Sequence, residues 1–280
     1  MTTHQVIGYG GIPLFVREEG PQDAPPILLI HGWSQHHLSW TKQLESVLTQ
    51  DFRLIAPDLR GHGASGKPEE PEAYNHSRPW ADDIAAIIDE LDLANPILVG
   101  WSMGTDVICD YLRVHGPSRI SGVAFVGGAI RAMTEEEASI PARARALSTW
   151  KGMCSKNPKA AMEATIAFLK SCVAAPLSKQ DLAFMTGLNA LCPPPIRAHM
   201  LSRTEDYRPD LEGIEIPAMI IYGTAEKVCP PELVREAAAA MPHAWTHAYS
   251  GTGHCPFWEK PDRFNRHLAE FARETLGVAA

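Results

Sequence analysis

The chain has no apolar run long enough to cross a bilayer. Its longest apolar stretches, such as Pro25–Ile30 and Pro217–Tyr222, fall far short of the roughly 20 residues a spanning helix needs, so no membrane partner is expected. No Lys/Arg run exceeds two residues, and 25 basic residues face 33 acidic ones for a net charge of −8. Nucleic acid is therefore not an expected partner. The N-terminal Met1-Thr2-Thr3-His4-Gln5 has neither a basic nor an apolar signal region, so standard secretion is not expected. Six cysteines, at 109, 154, 172, 192, 229 and 255, form no CxxC pair. Without a signal they read as buried or free thiols, which points to the cytoplasm. His36-His37 lack a ligand-spaced carboxylate, so a solvated loop and no metal site are expected there. Gly8-Tyr9-Gly10-Gly11 is not a dinucleotide fingerprint, because the third glycine is misplaced and no helix follows. No cofactor is expected.

What is present is an ordinary globular composition, with 45% hydrophobic and 21% charged residues in 280. A chain of this length buries about three quarters of its extended surface without disulfides or metals. Ile12–Glu18 alternates like an antiparallel strand. Pro26–Ile30, Phe52–Ala56, Pro96–Val99 and Gly122–Val126 are short apolar runs suited to strands covered on both faces. Helical patterns separate them over Trp40–Leu48, Trp80–Leu91 and Met103–His115. The repetition predicts an α/β class with a mostly parallel central sheet flanked by helices. Between 129 and 212 the strand pattern stops, and helical stretches appear near 142–151, 159–173 and 179–190. It resumes at Pro217–Tyr222 and Thr246–Tyr249, with helices over Glu232–Met241 and Arg263–Thr275. The expected organisation is a core of residues 1–128 and 213–280 with a helical lid, 129–212, inserted into it.

The strongest local signal is Gly100-Trp101-Ser102-Met103-Gly104, directly after a strand and directly before a helix. That context makes it a nucleophile elbow, a tight turn that projects a serine hydroxyl at a helix N-terminus. A serine is a weak nucleophile and needs a base. Of twelve histidines, His254 is the candidate, because its Gly-rich loop follows the last strand and such loops gather at one sheet edge. His62 reads as a structural turn residue. An acid should fix the base's tautomer. Glu226, after the strand Pro217–Tyr222, completes the order Ser102, Glu226, His254, and Asp206 and Asp210 are the backups. Oxyanion donors are expected from the backbone N–H of Met103 and of Trp33, the latter in the His31-Gly32-Trp33 loop.

With these residues in place the chain resembles the α/β-hydrolase fold family over about 12–276. The matches are His31-Gly32-Trp33, the run Asp58 to Ser65, Gly100 to Gly104, and Gly253-His254. Within that family it is similar to the compact carboxylesterases, cofactor-free haloperoxidase/perhydrolases and carrier-protein methyl esterases. The resemblance implies a nucleophilic Ser102, a basic His254 and oxyanion amides at Trp33 and Met103. Two departures stand out: Glu226 where the family usually has Asp, and Thr105 where many relatives have Gly. The implied activity is acyl transfer on a carboxylic ester, thioester or lactone of a small to medium uncharged substrate. The alternatives are C–C bond hydrolysis or perhydrolysis by the same triad, and a ligand receptor with little turnover. Substrate contacts are expected from Trp33, Trp150, Phe168, Phe184 and Phe257.

Overall fold

The computed structural model describes residues 1–277; residues 278–280, the end of the expected second core segment, lie outside them. Eight strands form one sheet: β1 Thr2–Ile7, β2 Pro13–Glu19, β3 Pro26–Ile30, β4 Arg53–Pro57, β5 Ile97–Trp101, β6 Gly122–Val126, β7 Ala218–Gly223 and β8 Trp245–Tyr249. Their order is β1-β2-β4-β3-β5-β6-β7-β8. β1 and β2 are antiparallel, and every pairing from β4 to β8 is parallel. This is the alpha/beta hydrolase fold. The central strands β3, β4, β5 and β6 are buried at every position, as expected where helices cover both faces of a parallel sheet.

The helices outside the β6–β7 connection are α1 Thr41–Leu44, α2 Leu48–Asp51, α3 Ser77–Glu90, α4 Met103–His115, α11 Pro231–Ala240, α12 Pro256–Glu259 and α13 Pro261–Leu276. Between β6 and β7 lie α5 Glu135–Ser139, α6 Pro141–Met153, α7 Pro158–Ser171, α8 Lys179–Ala190, α9 Pro194–Leu201 and α10 Arg208–Leu211. α3 buries Ile84, Ile87 and Ile88, and α13 buries Phe264, Leu268 and Phe271. Both follow the three-and-four spacing of a helix with one apolar stripe. Each such fully buried side chain contributes about 1.5–3 kcal/mol. Gly277 ends α13 in the left-handed conformation, its N–H returned to the Arg273 carbonyl, the usual glycine terminator.

Two elements differ from the sequence reading. β1 was not expected: its TTHQVI buries only Val6, so it has no apolar pattern and forms because β2 offers it an edge. The expected helix over Trp40–Leu48 is instead α1 and α2, preceded by a 3₁₀ turn at His37–Trp40. Ser46 breaks it: its hydroxyl donates to the Gln43 carbonyl and accepts from the Leu48 N–H, offering the backbone an alternative to helix. Tyr9–Gly11 forms a 3₁₀ turn into β2, with the Tyr9 N–H held by Asp83, which also pairs with buried Arg60.

The tight fit at the start of α4 generates a stability prediction. A Cβ built on Gly104 would collide with the Ile30 carbonyl oxygen, and one on Gly100 with the Gly104 backbone. Gly104→Ala should cost about 1–3 kcal/mol by overpacking, read as a lower urea midpoint. An unchanged midpoint would show that β3 and α4 are not in close contact.

Candidate active site

Ser102 joins β5 directly to α4. Its backbone sits at φ 55°, ψ −120°, a region that side-chain-bearing residues rarely occupy. The Ser102 N–H donates to the Val126 carbonyl, and its own carbonyl accepts from Thr105. Thr105, the second departure from the family pattern, donates its hydroxyl to the Gly100 carbonyl. Met103 begins α4, so its N–H has no partner within the helix. A Cβ built on Gly32 would lie 3.1 Å from the Ser102 Cβ, which places the His31–Trp33 loop against the elbow.

That loop is held by two enclosed histidines. The Leu59 N–H donates to His31 Nε2 (3.0 Å) and the Ser34 N–H to His62 Nε2 (3.0 Å). Both Nδ1 atoms face carbonyls, those of Gly32 and Arg60. An Nε2 that accepts and an Nδ1 that meets a carbonyl fix the neutral Nδ1–H tautomer. Burial drives both rings well below their ordinary pKa, His62 to about 4. His62 thus holds a loop, as the sequence suggested.

His36 and His37 correct an expectation. Both are buried, and a carboxylate does reach them: Asp58, some twenty residues away in sequence. Asp58 accepts from the His37 N–H and Nδ1 at 2.9 and 2.8 Å, from the Ala64 N–H at 2.8 Å, and faces His36 Nε2 at 3.5 Å. The three groups lie close enough to share an ion. However, His36 Nδ1 accepts from the Leu38 N–H, so its Nε2 carries the proton and His37 Nδ1 donates. The atoms facing Asp58 are proton donors, which explains the cluster without a metal. Burial lowers the His36 pKa to about 4, and the adjoining histidines keep Asp58 well below the usual carboxylate range against the effect of its burial.

His254 follows β8 on a loop whose N–H donates to the Cys172 carbonyl at 2.8 Å. The Trp101 indole, one residue before Ser102, donates to the His254 carbonyl at 2.9 Å. His254 Nδ1 meets Glu226 Oε2 at 2.7 Å, both side chains being fully enclosed. The other Glu226 oxygen accepts from the N–H groups of Val228 (2.7 Å) and Cys229 (3.2 Å). These contacts fix the carboxylate's orientation, and an oxygen that accepts places the ring proton on Nδ1. His254 Nε2 is buried with no hydrogen-bond partner among the described residues. Ser102 and His254 are not hydrogen-bonded to each other; such contacts commonly tighten only with substrate bound. The longer Glu226 therefore reaches the histidine, and the backups do not: Asp206 pairs with Arg208 and Asp210 with Arg113.

A cavity of about 400 Å³ opens beside Ser102, within the usual size for small-molecule sites. Trp33, Met103, Gly127 and Gly128 line it from the sheet side, and Trp150, Phe168 and Met200 from the β6–β7 helices. Trp33 packs edge-on to Phe168 at 5.9 Å and near Trp150 at 6.4 Å. The other two expected contacts lie elsewhere. Phe257 is core, against Trp40, Trp101 and Phe264, because the short α12 turns it inward. Phe184 is partly exposed and stacked on Trp258. Asp106, one turn after Ser102, lines the cavity and escaped the sequence reading. Its spacing of four from the serine was the available signal.

The buried histidines set a pH dependence. Unfolded, each would take a proton near its ordinary value of 6.5; folded, His36 and His62 do so only near 4. The unfolded state therefore binds more protons between these values, and stability falls as pH drops through that window. The loss should be of the order of a few kcal/mol from pH 7 to pH 4, seen as a falling thermal midpoint. A flat midpoint over that range would mean the rings are not held neutral.

Comparison with known proteins agrees with this architecture. A family model described as the alpha/beta hydrolase family matches residues 27–267. The chain is 27% identical to the AB hydrolase superfamily protein YisY of Bacillus subtilis (strain 168), over 93% of this chain and 96% of that one. It is 22% identical to a non-heme chloroperoxidase of Streptomyces lividans, over 94% and 97%. Among solved structures it is similar to esterase RhEst1 from Rhodococcus sp. ECU1013, with TM-score 0.89, 31% identity and coverage of 97% and 98%. Among the described residues, no helix is long and apolar enough to cross a membrane.

Proposed function

The chain belongs to the alpha/beta hydrolase family, and from that premise we propose that it is a serine hydrolase. It cleaves carboxylic ester bonds, thioesters and lactones included, of small to medium substrates through an acyl-enzyme on Ser102. The observation that carries this reading is the enclosed His254–Glu226 pair, with Nδ1 engaged at 2.7 Å and Nε2 left unpartnered. A neutral imidazole so held is a base with its lone pair available.

In the first step the Ser102 Oγ adds to the substrate carbonyl carbon while His254 Nε2 takes the hydroxyl proton. The developing oxyanion accepts from the N–H groups of Trp33 and Met103, each worth about 10²–10³-fold in rate. Collapse expels the alcohol, which takes the proton back from Nε2. Water then attacks the acyl-enzyme, again giving its proton to Nε2, and the carboxylic acid leaves as Ser102 is restored. Glu226 stays ionised and steadies the imidazolium. The helices α5–α10 act as a lid, a role supported by the walls that Trp150, Phe168 and Met200 give the cavity.

Ser102→Ala should lower hydrolysis of a short p-nitrophenyl ester at least about 10³-fold. Turnover at the wild-type rate would remove Ser102 from the reaction. Glu226→Gln should lower kcat about 10²–10⁴-fold with little change in KM. Unchanged kcat would mean that another acid orients His254.

A further inference from the structure

The cavity beside Ser102 holds one carboxyl group that nothing in the protein pairs. Asp106 lines it and, among the described residues, makes neither a hydrogen bond nor an ion pair. The other charged groups around the cavity are paired, enclosed or at its exposed edge. Arg131 is bound by Glu137 and Glu236. Glu205 pairs with Arg113. Arg203 gives its Nη2 to Asp110 and Tyr207, and its Nε and Nη1 are enclosed, out of a ligand's reach. Lys151 is exposed and belongs to the rim. The same cavity is also lined by the aromatic rings of Trp33, Trp150 and Phe168.

We propose that Asp106 is a specificity residue of this site: it receives a cationic group, a protonated or quaternary ammonium, carried by the substrate about one helical turn from the scissile carbonyl. This deepens the serine-hydrolase reading, rests on it, and revises the expectation of an uncharged substrate. An apolar group there would leave a carboxylate stripped of water with no compensation, which is costly. An anion would meet the like charge of Asp106, and the Arg203 donors not held by Asp110 and Tyr207 are enclosed. An ammonium gains a counter-charge from the carboxylate, in a cavity whose aromatic lining also suits cations. Burial raises the Asp106 pKa to about 7; Arg203 opposes the rise, and the negative charges of Asp110 and Glu205 add to it, a local balance that favours an incoming cation.

The test uses an isosteric pair, acetylcholine and its uncharged carbon analogue 3,3-dimethylbutyl acetate, at pH 8.5, where Asp106 is ionised. The wild-type ratio of kcat/KM, cationic over neutral, should be about tenfold or more. Asp106→Asn should lower that ratio toward one, and Asp106→Glu should keep most of it. A wild-type ratio of one or less overturns the proposal, and so does an Asp106→Asn ratio equal to wild type. Should neither these two esters nor the short p-nitrophenyl ester turn over, the hydrolase reading is what fails. Quenching of tryptophan fluorescence by tetramethylammonium then decides the site by itself. Saturable quenching, competed by choline and weakened by Asp106→Asn, upholds it; no saturable quenching refutes it.

Discussion

Ser102 is held at φ 55°, and backbone strain of this kind costs a residue with a side chain about 1–3 kcal/mol. The surrounding packing sustains it. Gly100 and Gly104 let β5, α4 and β3 approach backbone to backbone, and the Ser102 N–H is tied to β6 through Val126. The consequence is a hydroxyl lifted off the sheet at the N-terminus of a thirteen-residue helix, where free N–H groups and the helix dipole favour negative charge. Every other part of the site is arranged around that point.

Two polar frameworks do the arranging. On one side, His31, His62 and Asp58 bind backbone N–H groups of the loops after β3 and β4. They set the position of Trp33 rather than supply chemistry. On the other, the loops after β7 and β8 bring Glu226 and His254 together, and Trp101 ties the histidine loop to the elbow through its indole. Because the first framework depends on neutral imidazoles, it also makes the loop architecture sensitive to acid.

Much of this was legible in the chain. The continuous apolar runs at Pro26–Ile30 and Gly122–Val126 marked doubly covered strands, and the glycines flanking Ser102 only make sense where backbones touch. The order Ser102, Glu226, His254 followed from loops at the ends of successive parallel strands, although the 2.7 Å contact of Glu226 with His254 is a matter of tertiary placement. What stayed hidden depended on long-range partners. β1 has no apolar alternation because only Val6 is buried. The helix expected over Trp40–Leu48 broke at Ser46 through one side-chain hydrogen bond pair. Asp58 met His36-His37 across the fold, where adjacency in sequence showed only two histidines. Phe257 and Phe184 have the right chemistry for a pocket wall, but helix orientation, which residue type does not encode, turned them elsewhere.

If an enclosed imidazole activates the strained serine, His254 must govern the reactivity of Ser102. The most direct test is phosphonylation by a fluorophosphonate, followed by intact mass and peptide mapping. A single adduct on Ser102 is expected, formed at least about 10²-fold more slowly in His254→Ala. Modification at another residue, or labelling of His254→Ala at the wild-type rate, would contradict it.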